Sequence, residues 1–202
     1  MNRTFVAIAG AVVLIVGVST GARGQWDKLK LPGFGSQPAS GKSPTADLVL
    51  ATVSFLAGGE RLLESTGHAK DAARCRAIKD NIEKQGPSKE NLGQVNEVGS
   101  QLNEIAKNTK ELDKADAKGV TDAAVKVGVA SYLEKKATDE ARGAASGGGV
   151  GNATELALFS SVVPKNLQTM LSVQSALFNY LKVKGIDPSP SVKSEIDKIE
   201  KA

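Results

Sequence analysis

The chain has 202 residues, with a single cysteine, a single histidine, 4% aromatic residues and a formal net charge of +4 at pH 7. One cysteine excludes an intrachain disulfide, and one histidine beside one cysteine is too few for a structural zinc site. Because basic and acidic residues are interspersed and aromatic residues are scarce, the composition also disfavours a nucleic-acid-binding protein.

Residues 1–24 have the pattern of a signal peptide. Arg3 precedes an apolar run from Phe5 to Val18, and the small residues Ala22 and Gly24 favour cleavage after Gly24. The run is shorter than the roughly 20 apolar residues of a membrane-spanning helix. We therefore expect a bacterial protein that is exported to the periplasm or secreted; an uncleaved N-terminal anchor is the alternative.

Residues 25–44 are predicted to form an extended arm, because prolines and glycines recur along the segment and prevent regular structure. The arm also carries four large apolar residues, which are Trp26, Leu29, Leu31 and Phe34. Burying one aromatic side chain is worth about 1.5–3 kcal/mol, so a solvated linker would forgo a sizeable stabilisation. We predict that these side chains dock into a groove of the same chain or onto a partner. A disordered spacer is the alternative.

Residues 45–185 show helical patterning and are predicted to form one all-α domain, an irregular bundle of four to six helices. The helical segments are residues 45–66, 68–85, 88–115, 121–146 and 155–182. Thr45 and Ser88 are predicted N-caps, and Gly86 predicts the end of the second segment. Residues 186–202 are expected to form a proline-rich linker and a short polar C-terminal helix.

Two of these helices are nearly uncharged over the ranges Leu48–Gly59 and Leu156–Leu181. Amides such as Asn166 interrupt the second range, which argues against a membrane-spanning helix because an unpaired amide is costly in hydrocarbon. Pro164 is expected to kink or to divide this helix, and Gly58 with its neighbouring glycine to bend the first one. A gap between the two helices would suit an apolar ligand.

A seven-residue repeat marks the third segment. It places five apolar residues on one face, which are Val95, Val98, Leu102, Ile105 and Leu112. We call these five residues the heptad seam. Apolar stripes on helices normally face the core of their own bundle, so this is the favoured interpretation. Self-association through the seam is the alternative.

The stretch from His68 to Cys75 holds the only histidine and the only cysteine of the chain. Seven residues of helix separate the two side chains by roughly 10.5 Å along the axis. A thiol and its base must approach to about 2.6–3.2 Å, so the pair cannot act as nucleophile and base. Asp71 lies between them but has no group to activate. We predict a core cysteine and a surface histidine.

Other catalytic constellations are also missing from the sequence. Carboxylates such as Asp113, Asp116, Asp139 and Glu140 lie among lysines, on faces that we expect to be solvated. Catalytic carboxylate pairs usually need burial to separate their pKa values, and the sequence pattern gives no sign of burial. We therefore predict that the protein is not an enzyme and has no catalytic residues, metal site or cofactor.

The function expected from these features is protein–protein interaction by an exported, non-enzymatic helical protein of the bacterial cell envelope. Its partner would be another envelope protein or a second copy of the chain. The alternative is a carrier or binder of an apolar small molecule or lipid between bundle helices, and an enzyme of unknown type ranks third. After signal cleavage, membrane contact would be at most peripheral.

Overall fold

The computed structural model describes residues 43–146 and 153–201. The expected signal peptide and residues 25–42 of the expected arm lie outside these residues. The last two arm residues, Ser43 and Pro44, are the N-cap and the first residue of a helix, so the arm ends earlier than predicted. Within them the chain forms helices and no strand, which confirms the all-α class. The helices are α1 (Pro44–Ser65), α2 (Ala69–Gln85), α3 (Lys89–Lys107), α4 (Thr109–Leu112), α5 (Ala117–Ser146), α6 (Ala153–Ser161), α7 (Val163–Val183) and α8 (Ser189–Lys201).

The described residues thus contain eight helices, more than the four to six predicted, for two local reasons. Within the third predicted segment, residues 88–115, helix α3 ends at Lys107 and α4 follows as a separate single turn. The last long segment is divided, since α6 ends at Ser161 and α7 begins at Val163. Pro164 lies in the first turn of α7, where its missing N–H costs no helical hydrogen bond.

The helix ends show which capping predictions hold. Ser88 caps α3: its Oγ accepts a hydrogen bond from the Asn91 N–H at 3.2 Å, and Asn91 Oδ1 accepts one from the Ser88 N–H at 2.7 Å. Gly86 follows the last residue of α2 with a φ of +78°. The predicted cap Thr45 is wrong, because α1 begins earlier and its N-cap is Ser43.

Helices α1 and α5 pack against each other more extensively than any other two described helices, and they run antiparallel. Near the start of α1, Asp47 Oδ2 lies 3.0 Å from Nζ of Lys136. Further along α1, a Cβ atom added at Gly58 would lie 3.0 Å from Cγ2 of Val127. Residues further along α1 therefore contact residues nearer the N-terminus of α5, which is the arrangement of an antiparallel pair.

Helix α7 completes the centre of the bundle. It runs parallel to α3, because Thr169 donates a hydrogen bond to Asn96 Oδ1 at 3.3 Å and Ser172 donates one to Asn103 Oδ1 at 2.8 Å. It runs antiparallel to α5, since Val163 near its start shares an apolar cluster with Ala137 of α5 while Phe178 near its end lies beside Gly128. Helices α1, α3 and α7 thus point one way and α5 the other.

The two glycines of α1 do not open a gap. Helix α1 is continuous through Gly58 and Gly59. A Cβ at Gly58 would lie 3.1 Å from the Ala123 carbonyl oxygen, and one at Gly59 would lie 2.6 Å from Cδ1 of Leu102. The glycines therefore let α5 and α3 approach α1 closely.

The C-terminal helix α8 covers one side of the α1–α5 pair. Its apolar face and the residues beneath it form one cluster, which contains Val192, Ile196, Ile199, Ala51, Val129 and Leu133. The Tyr132 hydroxyl of α5 donates a hydrogen bond to Glu200 near the end of α8. None of the helices within residues 43–146 and 153–201 is long and apolar enough to cross a membrane.

Candidate functional site

The four apolar residues of the arm, Trp26, Leu29, Leu31 and Phe34, lie outside the described residues. Their docking therefore stays a prediction.

The structure confirms the interpretation of the His68–Cys75 stretch. Cys75 is fully buried in the main apolar cluster, and burial raises the pKa of its thiol to about 12. His68 lies at the surface with 35% of its side chain exposed, and its Nε2 is 3.4 Å from Oε2 of Glu111. Its Nδ1 is 4.0 Å from Oδ2 of Asp71. The cysteine and the histidine belong to different environments and do not form a site.

The heptad seam faces the interior of its own bundle. All five of its residues are buried, and all five belong to the main apolar cluster. The intramolecular interpretation is therefore confirmed, and the seam offers no exposed surface to a second copy.

The surface carboxylates singled out in the sequence are solvated, as predicted. Asp113 is half-exposed and accepts a hydrogen bond from the Tyr180 hydroxyl at 3.1 Å, and its Oδ1 lies 2.7 Å from Nζ of Lys184. These two hydrogen bonds, the one from Lys184 first, lower the pKa of its carboxyl. Asp139 is likewise exposed and paired with Lys135 at 2.5 Å. Such surface pairs are typical of helix faces and need no catalytic role.

Two carboxylates contradict the expectation that none is buried. Asp47 of α1 is 5% exposed and is paired with Lys136. Glu134 of α5 is 0% exposed. Neither of its carboxyl oxygens has a hydrogen-bond partner within the described part of the chain. Burial alone raises the pKa of this carboxyl well above its usual range. Its surroundings therefore favour the protonated, uncharged form of the carboxyl.

Glu134 belongs to a layer in which each of the four central helices contributes one buried polar residue. These residues are Thr52 of α1, Asn96 of α3, Glu134 of α5 and Asn166 of α7, and we call them the polar layer. Each lies three or four residues, or one helical turn, from one member of a single apolar cluster. That cluster consists of Leu48, Leu92, Ala137 and Val163. The four polar residues therefore lie at one level of the bundle.

A second apolar layer lies one turn away on the other side. It contains Phe55, Ala130 and Met170, which all belong to the main apolar cluster. On α3 the corresponding residue is Gly99, where an added Cβ would lie 3.4 Å from Cζ of Phe55. The polar layer is thus flanked by apolar side chains on both sides.

Two members of the polar layer have hydrogen-bond partners. The Thr52 hydroxyl donates to the Leu48 carbonyl oxygen at 2.7 Å. Asn96 accepts a hydrogen bond from the Thr169 hydroxyl, and its Nδ2 donates to the Leu92 carbonyl oxygen at 3.5 Å. These contacts are local to the helices or join α3 to α7, and they use neither Glu134 nor Asn166.

The other two members, Glu134 and Asn166, have none. Asn166 is 1% exposed, and both its Oδ1 and its Nδ2 lack a hydrogen-bond partner among the described residues. Ala137 of α5 and Val163 of α7 belong to one apolar cluster, and the two helices are antiparallel. Glu134 and Asn166 therefore each lie one turn from that cluster, on the same side of it, and together they hold four polar atoms without partners. Two further such atoms, Oε1 of Glu83 and Oε1 of Gln174, lie elsewhere.

A spacing signal could have revealed these two residues in the sequence. On α5 the stripe Val120, Val127, Glu134 and Ala141 repeats every seven residues, and all four are buried. On α7 the buried stripe is Val163, Asn166, Met170, Val173 and Leu177, with spacings of three and four. Both polar residues thus occupy core positions of helical stripes. A charged residue at such a position is easily assigned to the surface on composition alone.

The chemistry of the layer is that of hydrogen bonding. The described residues include no group of three histidine, cysteine, aspartate or glutamate side chains that could hold a metal ion. One neutral carboxyl and one carboxamide can bind and orient a polar group, and the apolar layers can enclose the rest of a small molecule.

Comparison with protein-family models, with curated proteins and with solved structures finds no match to this chain, so its function is inferred from its own geometry.

Proposed function

We propose that the chain is a non-enzymatic binding protein of the bacterial cell envelope that holds a small molecule with an apolar body between its central helices. The observation that carries this proposal is the pair Glu134 and Asn166, buried without hydrogen-bond partners between two apolar layers. Ligand sites of helical bundles are built in this way, from side chains that project inward from facing helices.

Stability alone does not account for the pair. Each buried polar group without a partner costs about 1–3 kcal/mol, and apolar residues of similar volume avoid that cost. The neighbouring core positions on the same stripes are apolar, such as Val127 and Met170. A ligand that supplies the missing hydrogen bonds offsets the cost, which is why perturbed buried groups favour a binding site.

Protein–protein interaction is a second proposal, and its support lies in the arm. Four large apolar side chains in residues 25–44 suit docking onto an envelope partner. The heptad seam no longer supports self-association, because its residues are buried within the bundle. Export to the cell envelope is also a proposal, and its support is the signal-peptide pattern of residues 1–24.

Native mass spectrometry of the freshly purified chain tests the small-molecule proposal. We expect a mass above that of the bare chain, or a rise in melting temperature with one member of a panel of octylamine, octanol and octanoate. The double variant Glu134→Leu/Asn166→Leu fills the layer with apolar groups and should lose both signals while remaining folded. Glu104→Gln on the exposed face of α3 is the matched surface control.

Failure to see either signal with the wild-type chain would contradict the proposal. Equal signals from the wild-type chain and the double variant would also contradict it, because binding would then not involve the layer.

A further inference from the structure

We infer that the ligand of the polar layer is a primary amine with an apolar body, bound as its ammonium ion against the carboxylate of Glu134. This inference rests on the proposed small-molecule function and names the chemical class of the ligand.

The first argument is a count of hydrogen-bonding atoms. With Glu134 ionised, the polar layer has three acceptors without partners, which are Oε1 and Oε2 of Glu134 and Oδ1 of Asn166. It has one donor without a partner, Nδ2 of Asn166. A primary ammonium group presents three N–H donors and no acceptor, so its donors equal these acceptors in number. A hydroxyl group brings a single donor, and a carboxylate ligand brings none.

The second argument is charge. A carboxylate in the core needs a cation as a partner. Burial is the cause of the raised pKa of Glu134, and no charged neighbour contributes to it. The charged side chains nearest in sequence on the four central helices are Asp47, Glu97, Lys135, Lys136 and Lys165.

These neighbours are engaged elsewhere or exposed. Lys136 is paired with Asp47 at 3.0 Å, and Lys135 is paired with a carboxylate of its own helix at the surface. Glu97 is paired with an arginine of α2, and Lys165 is exposed. On α8, Glu200 accepts a hydrogen bond from a tyrosine. The described residues thus supply no cation to Glu134, and a bound ammonium ion would supply it.

The proton balance of binding follows. Burial favours the protonated form of Glu134 in the free protein. The free amine carries its own proton because alkylamines, like lysine, titrate near pH 10. Binding joins the ammonium ion to the carboxylate and releases one proton to the solvent. No bond other than the O–H bond of the carboxyl breaks. The dissociation constant should therefore fall by up to tenfold for each unit by which the pH rises, while Glu134 of the free protein stays protonated.

The apolar layers set the character of the rest of the ligand. Leu48, Leu92 and Val163 flank the polar layer on one side, and Phe55 and Met170 flank it on the other. A polyamine would leave further charges among these side chains without partners. The ligand should therefore carry one ammonium group on an alkyl or aryl body.

Calorimetric titration of the whole chain tests the inference. The probes are n-alkylamines from butylamine to octylamine and the n-alcohols of equal chain length, titrated at pH 6, 7 and 8. Each amine is measured in two buffers of different ionisation enthalpy, which counts the protons released. We expect amines to bind at least tenfold more tightly than matched alcohols at pH 7, with tenfold tighter binding per pH unit and one proton released.

Two variants locate the effect. Glu134→Gln keeps the shape of the side chain but cannot ionise, so its amine binding should weaken at least 100-fold and lose its dependence on pH. Asn166→Val removes one acceptor and should weaken amine binding about tenfold while one proton is still released. Glu104→Gln should leave binding unchanged, and circular dichroism checks that each variant is folded.

The outcomes distinguish failure of the amine inference from failure of the small-molecule proposal. If alcohols bind as tightly as amines, or if amine binding is independent of pH and releases no proton, the amine inference is wrong and the small-molecule function stands. If neither series binds the wild-type chain and octanoate also fails to bind, the amine inference and the small-molecule proposal are both wrong.

Discussion

At the scale of single residues, Glu134 shows how burial changes a side chain that is ordinarily charged. Its carboxyl has no cation and no hydrogen-bond donor as a partner among the described residues, so the neutral form is favoured in the folded state. In the unfolded chain the same carboxyl titrates near its usual value of about 4.3. The difference between the two states makes the free energy of unfolding depend on pH.

The first prediction concerns this dependence. Below the unfolded pKa, Glu134 is protonated in both states, so its titration contributes nothing to the change of stability with pH. Above it the unfolded chain ionises while the folded chain stays protonated, so stability falls by about 1.4 kcal/mol per pH unit until the folded pKa is reached. Urea unfolding at pH 4.5, 6 and 7.5 measures this slope.

The matched variant for this measurement is Glu134→Gln. Burial also raises the pKa of Asp47 and of Glu83, so those two carboxyls contribute slopes of the same sign to both proteins. The difference between wild type and variant isolates Glu134. A constant difference from pH 4.5 to 7.5 would show that the carboxyl is not buried as a neutral acid.

The second prediction concerns Cys75. Its thiol is fully buried, and its pKa of about 12 keeps it protonated at neutral pH. Because only the thiolate reacts with disulfide reagents, we expect no labelling of the native chain and full labelling in 6 M guanidinium chloride. Labelling of the native chain within minutes would contradict the buried position. Ala73→Cys, on the exposed face of the same helix, is the positive control.

The sequence allowed the environments of Cys75 and His68 to be predicted, because two residues seven apart on a helix are separated by roughly 10.5 Å along its axis and cannot act together. It did not allow Glu134 to be identified as buried, because a charged residue is normally solvent-exposed. Only the packing of α5 against α1 and α7 removes water from this position. That packing is a tertiary property, although the seven-residue stripe on α5 indicates it.

At the scale of elements, glycines determine how closely the helices approach. Gly93 and Gly99 both lie within α3, but their surroundings differ. A Cβ added at Gly93 would meet nothing within 4 Å, whereas one at Gly99 would collide with Cγ2 of Thr169 and approach the ring of Phe55. The α3–α7 contact thus depends on one of the two glycines.

The third prediction follows from this pair. Gly93→Ala should stabilise the chain by about 0.5–1 kcal/mol, because alanine has the higher helix propensity and the site is open. Gly99→Ala should destabilise it by about 1–3 kcal/mol through overpacking. Chemical denaturation of both variants measures the two signs.

A second-site change tests the cause. Thr169→Ser removes the colliding methyl group and keeps the hydroxyl that bonds Asn96. In that background Gly99→Ala should lose most of its cost. If the cost is unchanged, overpacking against Thr169 is not its origin.

Element boundaries were less predictable than element type. The heptad spacing continues to Leu112 and predicts one helix, but the backbone at Asn108 has φ −86° and ψ 89° and interrupts it. Asn108 also donates a hydrogen bond from Nδ2 to Glu111 Oε1 at 3.1 Å, a local contact that competes with helical continuation. Leu112 stays buried despite the break, so the periodicity predicted its burial correctly.

At the scale of the whole molecule, the described residues form a four-helix centre with α8 against one side. Residues 25–42 of the arm lie outside the described residues, so docking of its four apolar side chains is a question for experiment. Trp26 is the only tryptophan of the chain, which makes its fluorescence specific to the arm.

The fourth prediction is that Trp26 is shielded from water. If the arm docks on its own bundle, emission of the isolated chain should be shifted to shorter wavelength and acrylamide quenching should be weak. If it docks on a partner alone, both changes should appear only in the complex. Leu29→Ser/Leu31→Ser should reverse them. Emission identical to that of free tryptophan, both in isolation and with the envelope fraction, would contradict docking.

The antiparallel pairing of α1 with α5 also has a kinetic consequence. The midpoints of these two helices are separated by 77 residues of sequence. At about 5–20 residues per second, a ribosome needs roughly 4–15 s to synthesise that interval. Throughout this time the apolar face of α1 is without the helix that covers most of it, and closing so long a loop is intrinsically slow. The nascent chain therefore carries an uncovered apolar helix until most of it has been made, and that helix is the segment a chaperone would bind.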